Sequence, residues 1–143
     1  MSKEPVTIET LQQLLTRGPF NRWLNFTVIK TADEGVEMKA AWREEWVVNP
    51  DRRYTHGGIL AAIIDVAADY AIAAKIGRPV PTIDLRVDYH KAAMPGDITA
   101  KARIVRFGSQ FSTAEASLYD SEGTLVASGR GTYLTAEPGQ KKV

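Results

Sequence analysis

Apolar and polar residues alternate along most of this chain, and one long stretch breaks the rule. Near the start, Ile8, Leu11, Leu14 and Leu15 share one face of a helix over about residues 7–17, and Gly18-Pro19 stops it. Leu24, Phe26 and Val28 then alternate over Trp23–Ile29, Asp33-Glu34-Gly35 signals a turn, and Val36, Met38, Ala40 and Trp42 alternate again. The two runs predict a β-hairpin. After the polar loop Asn49-Pro50-Asp51-Arg52-Arg53 and the exceptional stretch, four more strands follow. Ile83, Leu85, Val87 and Tyr89 alternate with Asp84, Arg86 and Asp88, the period of a half-buried strand. Ile98, Ala100, Ala102 and Ile104 form the next. Phe111 to Tyr119 and Thr124 to Thr135 complete the set. Pro95-Gly96-Asp97, Phe107-Gly108-Ser109 and Asp120-Ser121-Glu122-Gly123 supply the turns.

The exception is Gly57 to Ile76, rich in Ala and Ile and apolar on nearly every face. As a helix it spans about 30 Å. A helix without a polar stripe is buried rather than laid on a surface. Gly77 caps it, and Pro79 and Pro81 prevent continuation. Strands joined by short turns are antiparallel. The order predicts an α+β fold: one domain, residues 1–143, in which a curved antiparallel sheet wraps around a long central helix. One side of such a sheet stays open, so a homodimer or larger oligomer is expected.

The chain has 143 residues and no cysteine, which excludes a disulfide framework, thiol catalysis and thiolate metal sites. A net charge of +1 gives no reason to expect nucleic acid as a partner. Residues 1–10 lack the pattern of a signal peptide, and no apolar run is long enough to span a membrane. A cytoplasmic protein with no membrane partner is the expectation.

The chain carries no G-x-S-x-G elbow, no Walker loop and no complete G-x-G-x-x-G. Its two histidines, His56 and His90, form no H-x-x-x-H pair, so no metal site is expected. What remains is His56-Gly57-Gly58 at the start of the long helix, with Asp65 inside it. A lone buried carboxylate is costly. Asp65 therefore either reaches solvent or a partner such as Arg or Thr, or it faces a substrate pocket, where desolvation suits it to general-base or nucleophilic work. Asp69, one turn on, reads as a surface charge or an ion-pair partner. Glycines at a helix N-terminus present unpaired N–H groups and a positive dipole end to a developing oxyanion. Gly57 and Asp65 lie about 12 Å apart along one helix. If both serve one reaction, they come from two helices packed side by side.

The run Tyr54-Thr55-His56-Gly57-Gly58-Ile59-Leu60-Ala61-Ala62-Ile63-Ile64-Asp65 resembles the signature of hotdog-fold acyl-CoA thioesterases of the phenylacetate-degradation (PaaI-like) type. Thr82-Ile83-Asp84-Leu85-Arg86-Val87-Asp88-Tyr89, Pro95-Gly96-Asp97 and the ending Ala127-Ser128-Gly129-Arg130-Gly131-Thr132-Tyr133 resemble later parts of that family. The resemblance implies the following roles. The Gly57 N–H polarises the thioester carbonyl, in the turn shared with His56 and Gly58. Asp65 of the neighbouring subunit activates water or attacks directly. Thr82 helps place the water, and Asn49 assists from upstream. Coenzyme A, part of the substrate rather than a cofactor, is contacted by Tyr89, His90 and Lys91 and by Arg106, Gly108 and Ser109. Many relatives continue after the Tyr with an apolar residue and Arg-Pro, whereas this chain has His90-Lys91-Ala92. The family also implies a tetramer built as a dimer of dimers. Two other functions fit the same fold: dehydration or hydration of an acyl thioester, with His56 paired to Asp65, and non-catalytic acyl-CoA binding.

Overall fold

A computed structural model describes residues 6–137. The elements are α1 (Ile8–Arg17), α2 (Pro19–Trp23), β1 (Phe26–Ala32), β2 (Gly35–Ala40), a 3₁₀ turn at Glu44–Trp46, α3 (Gly57–Ile76), β3 (Thr82–Tyr89), β4 (Ile98–Arg106), β5 (Phe111–Tyr119) and β6 (Leu125–Leu134). The strands form one antiparallel sheet in the order β1-β2-β4-β5-β6-β3. The sheet wraps around α3, which is the hotdog arrangement. The expected order of strands and long helices holds, with α2 and the 3₁₀ turn missed. Gly18-Pro19 ends α1 but also opens α2, because Pro is well placed in a first helical turn. The strand expected from Trp23 therefore starts at Phe26, after Asn25 turns the chain with φ of 56°.

α3 fits inside the sheet because the concave face is built from small residues. Ala40, Ala100, Ala102, Ala114 and Ala116 are buried there, and Ala67, Ala68, Ala71 and Ala73 meet them from the helix. At β6, a Cβ on Gly129 would stand 2.8 Å from Ile64 Cγ2 and 2.5 Å from the Arg86 carbonyl oxygen. Only glycine lets the helix lie that near. Gly77 ends α3 in the left-handed conformation, with φ of 83° and its N–H donating to the Ala73 carbonyl.

The two edges of the sheet are finished differently. Along β1, α1 buries Leu11 and Leu15, and the Gln12 side chain stands in for a strand: Nε2 donates to the Phe26 carbonyl and Oε1 accepts from the Val28 N–H. The β3 edge has no such cover among the described residues. Ile83 and Tyr89 are 56% and 55% exposed there, with Leu85 and Val87 half-buried. An uncovered apolar edge strand is a ready template for pairing with another chain.

Asp69 is not the surface charge or ion-pair partner that its position suggests. It turns inward, and its Oδ1 accepts the Val80 N–H at 2.8 Å, which ties the connection after Gly77 back to the helix. Burial, partly offset by that hydrogen bond and reinforced by Asp65, pushes its carboxyl up to about 7. Between pH about 4 and about 7 the folded chain then holds a proton that the unfolded chain releases, so stability falls as pH rises, by up to about 1.4 kcal/mol per pH unit. Asp69→Asn keeps an acceptor for Val80 and removes the titration. Urea unfolding at pH 5 and pH 8 checks this: the wild type is expected to lose a few kcal/mol more across that interval than Asp69→Asn, and equal losses would refute it.

Candidate active site

Most of α3 is buried, but Gly58, Ala62 and Asp65 recur at helical spacing along a face that the sheet leaves partly open. Asp65 is the carboxylate on that face, and two hydroxyls hold it. Thr82 Oγ1 donates to Asp65 Oδ1 at 2.8 Å. The Tyr133 hydroxyl donates to the same oxygen at 3.0 Å, with the Asp65 carbonyl 3.2 Å away. Oδ2 accepts no hydrogen bond from any described residue. The Thr partner that the sequence offers for Asp65 is therefore Thr82, joined by Tyr133, and no Arg reaches it among the described residues.

Thr82 reaches Asp65 through a bulge. Thr82 pairs with Tyr133 and Asp84 with Thr132, so Ile83 is an extra residue in the β3–β6 ladder. Strict alternation would send Thr82 outward with Asp84 and Arg86. The bulge turns it inward, onto the face of Leu85 and Val87. The two donors to Asp65 are thus directly opposed on neighbouring strands. Tyr133 reaches back along β6 over Gly131, where a Cβ would stand 2.5 Å from the ring. Sequence reasoning placed Tyr133 only as part of a strand. The available signal was Gly131 two positions before it, which clears one side of the strand for a ring.

At the N-terminus of α3, His56 is the capping residue. Its Nδ1 accepts the Gly58 N–H at 2.8 Å. This fixes the neutral imidazole with its proton on Nε2, which can donate but not accept. It also occupies the Gly58 N–H and leaves that of Gly57 without a partner among the described residues. Tyr89, at the end of β3, lies against Gly57: its hydroxyl donates to the Gly57 carbonyl at 2.8 Å, and a Cβ on Gly57 would stand 3.3 Å from the ring. Glycine at 57 therefore keeps the approach to its own N–H narrow but open.

The other expected site residues are spread out. Asn49 Oδ1 accepts the N–H groups of Asp51 and Arg52, folding the loop onto itself. His90 Nε2 is 2.8 Å from Ser128 Oγ beside the α3 N-terminus, and Lys91 is exposed next to it. Arg106, Gly108 and Ser109 lie at the other end of α3, where Lys75 Nζ stands 5.2 Å over the Phe107 ring. Gly108 N–H donates to Ser112 Oγ at 3.1 Å, which shapes that turn. The two groups expected to contact coenzyme A are separated by the length of a 20-residue helix, about 30 Å, within one chain.

Known proteins share this fold. The sequence profile of the thioesterase superfamily matches residues 53–127, which include the α3 N-terminus, Asp65 and Thr82. A Halobacterium salinarum protein named as an esterase is 34% identical over 122 residues, 78% of this chain and 80% of its own length. The Escherichia coli medium/long-chain acyl-CoA thioesterase YigI is 27% identical over 132 residues, 81% of this chain and 84% of its own. One solved structure from the thioesterase superfamily superposes with a TM-score of 0.87 at 48% identity, covering 89% of this chain and 96% of the other. With more than half the chain inside the family profile and the fold in agreement, the protein belongs to the thioesterase superfamily.

Proposed function

We propose that the protein hydrolyses acyl-CoA thioesters, with Asp65 as the carboxylate that activates water and the Gly57 N–H as the oxyanion donor. The observation that carries this is Asp65 itself: a helix-borne carboxylate held on one oxygen by Thr82 and Tyr133, with Oδ2 left open on the uncovered face. Oδ2 takes a proton from water as the water oxygen attacks the thioester carbon. The charge that builds on the carbonyl oxygen meets the Gly57 N–H and the positive end of α3. Nε2–H of His56 is a second donor at that end. The C–S bond then breaks, and the proton on Asp65 passes to the departing thiolate of coenzyme A. The geometry of His56 speaks against dehydration, because its Nε2 carries the proton that a base would have to lack. A pure binding module gives no reason for an oriented carboxylate with a free oxygen.

Gly57 and Asp65 of one chain are about 12 Å apart along α3, too far for one carbonyl group. In this proposal two chains pack with their α3 helices antiparallel, and the Gly57 of each faces the Asp65 of the other. The two-fold axis then crosses α3 near residue 61, where Ala61 and Ala62 are half-buried and small enough for close contact. The open β3 edges are the natural seam, and pairing of such dimers gives a tetramer. The same antiparallel packing turns the Arg106–Ser109 end of one helix toward its partner, so the proposed coenzyme A contacts at Tyr89, His90 and Lys91 and at Arg106, Gly108 and Ser109 need not belong to one chain. Lys91 and Arg106 make no ion pair among the described residues and are the proposed phosphate partners. The proposal includes a role for Asn49 through its free Nδ2, a cytoplasmic location, and no cofactor beyond the coenzyme A of the substrate. Among the described residues no helix is long and apolar enough to cross a membrane.

Thiol release from a panel of phenylacetyl-, hydroxybenzoyl- and aliphatic acyl-CoA esters tests the activity. The wild type is expected to hydrolyse at least one, with kcat falling by about 100-fold or more in Asp65→Asn, the scale of a lost general base. A folded wild type that binds these esters and cleaves none would contradict the proposal.

A further inference from the structure

The Asp65 carboxylate is asymmetric. Both of its side-chain donors, Thr82 and Tyr133, converge on Oδ1, and Oδ2 has none among the described residues. The Tyr133 ring is fully buried, at 0% exposure, and touches no open part of the site. Burial first, and then the negative charge of Asp65, push the pKa of its hydroxyl well above the ordinary tyrosine range. The hydroxyl therefore acts toward Asp65 as a donor. Space for the ring comes from Gly131, whose backbone is not in the left-handed region and whose missing side chain serves this contact alone. A Phe in the same place would fill the core equally well, so the buried hydroxyl needs a separate reason. Its one described partner is Asp65.

We propose that Tyr133 is a positioning residue for the hydrolysis: by holding Asp65 Oδ1 from the buried side, it fixes the carboxylate so that Oδ2 faces the reacting water. This rests on the assignment of Asp65 as the water-activating group. Tyr133 touches neither substrate nor water and acts through Asp65. Removing the hydroxyl lets the carboxylate rotate, which lowers the rate without weakening substrate binding.

Tyr133→Phe, Gly131→Ala and Asp65→Asn, each compared with the intact wild type on the best acyl-CoA ester, form the test. Tyr133→Phe is expected to lower kcat by about fivefold to tenfold, the effect of one buried hydrogen bond, with KM within twofold of wild type. Gly131→Ala crowds the ring from the other side and is expected to give the same kcat loss with both Asp65 and the hydroxyl intact. If Tyr133→Phe matches the wild type in kcat while Asp65→Asn is inactive, the positioning role is overturned and the assignment of Asp65 stands. If Asp65→Asn keeps full activity, both fall together. A purely structural role for Tyr133 would lower the melting temperature and leave kcat and KM of the folded protein unmoved, which also overturns the proposal.

Discussion

Over Gly57–Ile76 the charged residues are Asp65, Asp69 and Lys75, and the remainder is almost wholly apolar. Such a helix has no face it can show to water, and the sheet, the small residues that line it and the open edge all follow from covering it. Buried alanines on β2, β4 and β5 make the trough, and Gly129 lets the helix press against β6. Each Å² of apolar surface that this contact removes from water contributes about 25 cal/mol. The sheet surrounds the helix incompletely. The strip left over carries Asp65, and beside it runs the unfinished β3 edge.

The placement of Asp65 on that strip joins packing to chemistry. A carboxylate facing the alanine-lined trough would be desolvated without partners and would stay neutral. A carboxylate on a fully wetted face would have no pocket. On the partly covered strip it receives two hydroxyl donors on the protein side and keeps one oxygen outward. Asp69, one turn further, shows the contrast. It is turned in on a backbone N–H, and burial raises it to about 7. The same residue type on the same helix thus meets two different environments, set by four positions of displacement.

Much of this architecture is legible in the sequence. β4 shows Ile98, Ala100, Ala102 and Ile104 inward, as strict alternation requires. α3 was visible in full, with its Gly77 cap, because twenty residues without a polar stripe have few other solutions. What escaped was whatever depends on a break in register or on a contact distant in sequence. The bulge at Ile83 reverses Thr82 relative to the alternation of β3, and no local pattern announces it. Tyr133 meets Asp65 across 68 positions, and in the chain it looks like any aromatic strand residue. Asp69 read as a surface charge because propensity assigns mid-helix carboxylates to water, whereas here the Val80 N–H supplies a partner inside. The roles of Asn49, Lys91, Arg106, Gly108 and Ser109 rest on family resemblance, since a single chain does not bring them to Asp65.

The central claim is that one site is assembled from two chains, with the oxyanion donor of one and the carboxylate of the other. Subunit complementation tests it most directly. Gly57→Pro deletes the N–H at a first helical position where proline is tolerated, with His56 before it at φ −55° and ψ 131°, a backbone that proline accepts in its predecessor, and with the Tyr89 ring, 3.3 Å from the new Cβ, giving by a few tenths of an ångström. Asp65→Asn deletes the carboxylate. Each variant alone is expected to be nearly inactive. In a heterodimer one site would carry both lesions and the other neither. Co-refolding equal amounts is therefore expected to restore about a quarter of wild-type kcat, since random pairing makes half of the dimers mixed and each has one intact site of two. Mixtures that stay as inactive as their components, although heterodimers form, would contradict the account and place both groups of a working site in one chain.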